Sequence, residues 1–231
     1  MNMRYVRLAA AGLAAALACA CASGRAYRTD TWETWTSWND SYGASELKDD
    51  GVYYTLSARQ DDTRDEPSDG YAPGLILSKE IPGSRWQLDL EADFNIPPGR
   101  AKRFSYGVWI GGDGARPSVG NPSAVFKLVV QRQNGPRPSD DSLIVFPVPG
   151  GRFVRLPAGL KVLRFRRDGS SFSVLYSMNR RKFVQALSAE SPEAATAPSQ
   201  KFFMSGFAGG DPEGAWARMK SLKLDGEEML Y

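Results

Sequence analysis

Residues Trp86–Phe94 read WQLDLEADF, in which Trp86, Leu88, Leu90, Ala92 and Phe94 alternate with Gln87, Asp89, Glu91 and Asp93. Successive side chains of an extended chain leave opposite sides, so this alternation predicts a β-strand with one dry and one wet face. A strand of that kind needs a second layer over its dry face.

Working outward, similar runs recur every ten to fifteen residues with turn residues between them. They fall at 51–58, 74–81, 104–110, 124–131, 143–148, 160–166, 171–178, 182–187, 201–207 and 216–224. No stretch keeps helical spacing for three turns. With the segment around Trp35 this makes about twelve strands, more than an immunoglobulin-type sandwich holds and right for a large antiparallel jelly roll of two sheets. The pattern slips between Met219 and Leu222, which predicts a bulge in the last strand. The linking segments 61–74, 111–123, 133–142 and 188–199 are rich in Gly, Pro, Ser and Asp and read as loops.

The chain opens with Arg4 and Arg7, an Ala/Leu run over 8–18 and small residues around Cys19 and Cys21. That order is the layout of a secretory signal, and the apolar run is too short to span a bilayer. The expected organisation is a signal over 1–21, a polar tether over 22–30 and one domain over 31–231. The stretch ALAC ending at Cys19 resembles the cleavage box of bacterial lipoproteins, with Cys21 as the alternative lipidated residue. The resemblance implies an exported, envelope-anchored protein. Ala20 or Ala22 follows the cysteine where aspartate would resemble an inner-membrane retention signal, so an outer-membrane anchor is implied.

Removing Arg4 and Arg7 from 29 basic residues leaves 27 against 26 acidic ones, so the domain is nearly neutral and nucleic acid is not an expected partner. Histidine is absent, and both cysteines belong to the leader. Histidine bases, Ser-His-Asp and Cys-His nucleophile systems and Cys/His zinc sites are excluded on inventory. Carboxylate, tyrosine, lysine or oxygen-ligated calcium chemistry survives, and no residue pattern identifies a reaction, a metal or a cofactor. Asp61, Asp62, Asp65, Glu66 and Asp69 crowd one loop without the spacing of a calcium loop.

The run LKVLRFRRDGSSFSVLYSMNRRKFVQAL (160–187) resembles the concanavalin A-like lectin/glucanase superfamily, with turns at Asp168-Gly169 and Asn179-Arg180-Arg181. KFFMSGFAGG and AWARMKSLKLDG resemble that superfamily's closing pair of strands, the last returning beside the first; the earlier runs resemble its first hairpins. The likeness is one of pattern over most of residues 32–226. It implies a two-sheet sandwich and a carbohydrate partner. Independently, Asp-Gly between two alternating runs predicts a tight hairpin, because such turns need positive φ.

Four groups of residues are candidates for function. Asp89, Glu91 and Asp93 place three carboxylates on one face, similar to the triplet of laminarinase-type glucanases of the superfamily, whose outer positions are glutamates where this chain has aspartates. The outer Cα atoms of four-residue-spaced positions stand about 13 Å apart, whereas a retaining glycosidase holds its carboxyls within about 5.5 Å. With Tyr106, Val108 and Ile110 facing the core, Trp109 shares the other face with Ser105, Gly107 and Gly111, which predicts an exposed indole with cleared flanks for stacking a sugar ring; Tyr106 is a second candidate for ligand contact. Residues 150–182 carry nine basic side chains against Asp168, while 40–95 carry 13 acidic and five basic ones. These segments are expected to pair across neighbouring strands, or to leave Arg164 and Arg166 as a docking patch for anionic glycans or a membrane. Trp32, Trp35 and Trp38 cannot form one platform in an extended chain, and they read as a plug near the termini.

The expected function is envelope-anchored carbohydrate binding without catalysis. The alternatives are a glycoside hydrolase or polysaccharide lyase using Asp89, Glu91 and Asp93 or Tyr106, and an envelope module that binds another protein through a sheet face.

Overall fold

A computed structural model of the chain describes residues 35–38, 43–56, 74–77, 81–97, 102–111, 124–134, 142–208 and 214–230. Fifteen strands form among these residues: β1 (Trp35–Trp38), β2 (Gly43–Lys48), β3 (Gly51–Leu56), β4 (Gly74–Leu77), β5 (Arg85–Asn95), β6 (Lys102–Gly111), β7 (Ala124–Asn134), β8 (Ser142–Val148), β9 (Val154–Leu156), β10 (Val162–Asp168), β11 (Ser171–Ser177), β12 (Val184–Glu190), β13 (Ser199–Ala208), β14 (Trp216–Leu224) and β15 (Glu227–Glu228). One short helix, α1 (Pro192–Thr196), lies between β12 and β13.

The strands make two antiparallel sheets. The seven-stranded sheet runs β1-β4-β13-β6-β7-β8-β9, and the eight-stranded sheet runs β12-β11-β10-β5-β14-β3-β2, with β15 beside β14. The alternation of β5 holds in three dimensions: Leu88 and Leu90 are fully buried between the sheets, while Asp89 and Glu91 line the other face. One core cluster draws Leu88, Phe165 and Met219 from the eight-stranded sheet and Phe104, Val130 and Phe202 from the seven-stranded one. Each such side chain contributes about 1.5–3 kcal/mol by leaving water, so the alternation specifies register strongly.

The Asp168-Gly169 hairpin forms as read, with Asp168 opposite Ser171 and Gly169 at φ 65°. The bulge in β14 falls between Met219 and Ser221. Glu228 serves the strand end beyond it, its Oε1 accepting from the amides of Leu222, Met229 and Leu230.

Three expectations are corrected. The segment 188–199 is not an open loop. β12 continues to Glu190, then Ser191 caps α1 by accepting from the Ala194 amide, with Pro192 in the first turn. β12 also begins at Val184 rather than Lys182, because the Asn179 side chain binds the amides of Arg181 and Lys182 and holds a turn there. Finally, the last long strand lies between β5 and β3, while β1 pairs β4 at an edge of the other sheet. The first and last strands therefore do not meet; the tryptophan plug itself rests on Trp32 and on the side chains of Trp35 and Trp38, which lie outside the described residues, as does the acidic segment 61–69.

Candidate functional site

The wet face of β5 carries the three carboxylates, and each meets its own cation on a neighbouring strand or turn. Asp89 takes a bidentate bond from Arg164 of β10, 2.7 Å at both oxygens. Glu91 takes one from Arg180 in the β11–β12 turn, at 2.8 and 2.7 Å. Asp93 meets Arg218 of β14, which also reaches Asp50 at the β2–β3 turn, and Lys220 at 2.6 Å. The hydrogen bonds from Arg180, then its charge, hold the Glu91 carboxyl below the ordinary glutamate value against the opposing effect of burial. For Asp93 burial works upward, but the bonds and charges of Lys220 and Arg218 outweigh it and the carboxyl is lowered. Neither group holds a proton at neutral pH. On this face the opposed charge of the two segments is expressed as cross-strand pairing.

Trp109 is not an exposed platform. It is fully buried on the side of β6 that faces away from the sandwich core, packed with Val129 and Phe203 against Phe146 and Val148. The small residue beside it does not clear space for a ligand: a Cβ on Gly107 would come within 2.6 Å of both the Phe203 ring and the Leu128 carbonyl oxygen. Glycine is required there because a neighbouring ring already fills the place. The indole Nε1 has no hydrogen-bond partner among the described residues. Tyr106 points the other way into the core, its ring centroid 5.4 Å from Phe94 and 6.3 Å from Phe202. Burial, then the charge of Asp93, pushes its hydroxyl well above the usual tyrosine value, and its full burial keeps it from being a surface contact.

Arg164 is likewise held, with its guanidinium stacked 3.5 Å over the Phe183 ring while it clamps Asp89. Arg166 is exposed and lies 3.8 Å from Asp168, which Arg85 holds at 2.8 Å. Arg167, inward-facing and buried, donates to the carbonyls of Gly83, Gly169 and Ala195.

Two features escape a one-dimensional reading. A cavity of about 250 Å³ opens beside Leu90, Asp93, Phe94 and Leu163 of the eight-stranded sheet and Arg132 and Leu143 of the seven-stranded one, with the 157–160 connection at its mouth. Beside that mouth lies a group of exposed cations. The net charge of 150–182 announces the excess, but which cations are neutralised depends on the strands that lie opposite them.

No family model matches the chain, and no curated protein matches its sequence. Its fold does match solved structures. A legume lectin-like domain from Entamoeba histolytica gives a TM-score of 0.55 at 9% identity, over 85% of this chain and 91% of that chain. The carbohydrate recognition domain of Emp46p, in its potassium-bound form, gives 0.54 at 9% identity, over 85% and 90%. A lectin from Bauhinia forficata in complex with GalNAc gives 0.51 at 11% identity, over 83% and 92%. At these identities the likeness is one of fold: the chain is a two-sheet antiparallel jelly-roll sandwich of the concanavalin A-like type.

Proposed function

We propose that the chain is an exported, lipid-anchored domain that holds carbohydrate without cleaving it. The observation that carries the proposal is the match of 85% of the chain to a legume lectin-like domain. The ion-paired triplet on β5 favours holding over cleavage, since Glu91 and Asp93 are kept as anions by cations of their own sheet. The cavity at the 157–160 connection is the place for a sugar. Ligand sites are concave and mainly apolar with a few polar groups, and are about 300–1,000 Å³ for larger ligands. Leu90, Phe94 and Leu163 offer an apolar wall for a ring's C–H face, and Arg132 supplies polar contact.

A glycan array probed with the detergent-solubilised protein tests this. Ala158→Trp fills the mouth from an exposed turn and leaves the core untouched; retention on the array should be lost. Undiminished retention would move the site elsewhere, and release of reducing ends by the wild-type protein would overturn the non-catalytic reading. For the anchor, Cys19→Ser should shift the protein from membrane to soluble fraction. If it does not, Cys21→Ser tests the alternative, and failure of both removes the anchor.

A further inference from the structure

The basic side chains of 150–182 divide into two sets. Arg164, Arg166 and Arg180 face Asp89, Asp168 and Glu91, and Arg167 is inside. Arg152, Arg155, Lys161, Arg181 and Lys182 are exposed, and none makes an ion pair or side-chain hydrogen bond among the described residues. Four of these, Arg155, Lys161, Arg181 and Lys182, gather at one corner of the sandwich. Arg155 lies on the edge strand β9, and the other edge strand, β12, packs across against β8 and β9. Lys161 ends the 157–160 connection, and its amide donates to the Ser177 carbonyl at 2.8 Å, which sets it beside Met178. Arg181 and Lys182 occupy the turn that leads into Val184, and Val184 pairs with Tyr176 on the same end of the sheet.

Two exposed apolar side chains stand at the same corner, Val184 at 51% and Met178 at 46% of their free area. From residue 142 to 189 the chain has one acid, Asp168, at the far end of β10 in the grip of Arg85. The corner therefore presents positive charge beside apolar surface, next to the 157–160 connection that lines the cavity; the acids nearest to it, Glu91 and the cavity-lining Asp93, are bonded to Arg180 and to Lys220 and Arg218.

We infer that this corner binds a polyanionic polysaccharide, a glycan carrying carboxylate or sulfate groups, whose sugar ring enters the cavity while its charged substituents meet Arg155, Lys161, Arg181 and Lys182. The inference rests on the carbohydrate reading above and names its ligand class. Cations bind carboxylate and sulfate oxygens, and the apolar side chains beside them suit the C–H faces of sugars. A glycan fits better than the anchoring bilayer. β9 and β1 are opposite edges of the seven-stranded sheet, roughly 29 Å apart at about 4.8 Å per strand. On the lipid-anchored reading above, the chain reaches the sandwich first at β1, the edge opposite the basic corner.

The test measures binding of the detergent-solubilised protein, wild type and a Lys161→Gln, Arg181→Gln, Lys182→Gln triple variant, to polygalacturonate, dextran sulfate, neutral dextran and phosphatidylglycerol vesicles. The wild type should bind at least one of the two polyanions. Losing three exposed contacts should raise the Kd about tenfold, and raising salt from about 0.1 M to 1 M should weaken binding in parallel, since screening shortens from about 10 Å to about 3 Å. The three substitutions are at exposed turn positions, and an unchanged thermal midpoint confirms the fold. Polygalacturonate against dextran sulfate separates carboxylate from sulfate. Equal polyanion affinity in the variant, or binding to vesicles alone, overturns the inference. Neutral glycans retained on an array by both proteins, and lost with Ala158→Trp, would overturn it while the carbohydrate reading stands. If no glycan of either kind is retained, that reading falls with it.

Discussion

Arg167 shows how one residue can break its strand's pattern and strengthen the fold. It sits at an inward position of β10, opposite Trp86 of β5 and Phe172 of β11, where an apolar side chain is the ordinary choice. Burial lowers its pKa, yet the guanidinium stays charged because three carbonyls receive it at 2.9–3.0 Å. Those carbonyls belong to Gly83, Gly169 and Ala195, so a single side chain ties the turn before β5, the β10–β11 hairpin and α1 together. Replacing it with methionine keeps the packing volume and strands three acceptors. At about 1–3 kcal/mol for each buried group left unsatisfied, and with water recovering part of that at the turns, Arg167→Met should lower stability by about 3 kcal/mol. Lysine should not rescue it, having no planar fork to reach three oxygens. Urea denaturation measures this, and a loss below about 1 kcal/mol would mean the carbonyls are served without Arg167.

At the scale of the element, the outer face of β5 behaves as one electrostatic unit with β10, β14 and the β11–β12 turn. Both resolved shifts on that face, at Glu91 and Asp93, are downward. A carboxylate whose folded pKa is depressed contributes stability that is present above its unfolded pKa, near 4, and is lost as pH falls through the folded value. Stability should therefore hold from pH 7 to about 5 and decline below about 4. Arg180→Gln removes the partner that lowers Glu91, so the variant starts less stable and loses less on acidification. Urea midpoints at pH 7 and 3.5 for both proteins measure the difference, and an identical acid loss would show that the Glu91 pair is not responsible. The same face marks the limit of sequence reading for elements. Alternation over Trp86–Phe94 fixes which side is wet because burial of five apolar positions dominates register. It cannot say which cation reaches which carboxylate: Arg164 and Arg166 are two residues apart and meet different acids. β9, three residues long, and β2, with the polar sequence GASELK, carry too little periodicity to be seen at all.

The whole molecule explains the misreading of Trp109. Alternation correctly sends Tyr106, Val108 and Ile110 to the core and Trp109 to the opposite side, but whether that opposite side meets water is decided by parts of the chain distant in sequence. β6 lies at the centre of the seven-stranded sheet and is buried on both faces, as the full burial of Val129 and Phe203 beside Trp109 shows. The two faces are joined through the sandwich. Trp86 donates from its Nε1 to Gln200 at 2.8 Å, bridging β5 and β13, and the core cluster between the sheets includes residues of both. Neither sheet could keep its inner face dry alone, so the domain should unfold in one cooperative step. Trp86 reports on the space between the sheets and Trp109 on the outer side of β6, which makes them two probes of that cooperativity. Fluorescence of the wild type, of Trp86→Phe and of Trp109→Phe should each give the same denaturant midpoint as far-UV circular dichroism of the same protein. A fluorescence transition that precedes the dichroism in Trp86→Phe, where Trp109 contributes more of the signal, would show that the cluster of Trp109, Val129 and Phe203 on the outer side of β6 loosens before the sandwich does.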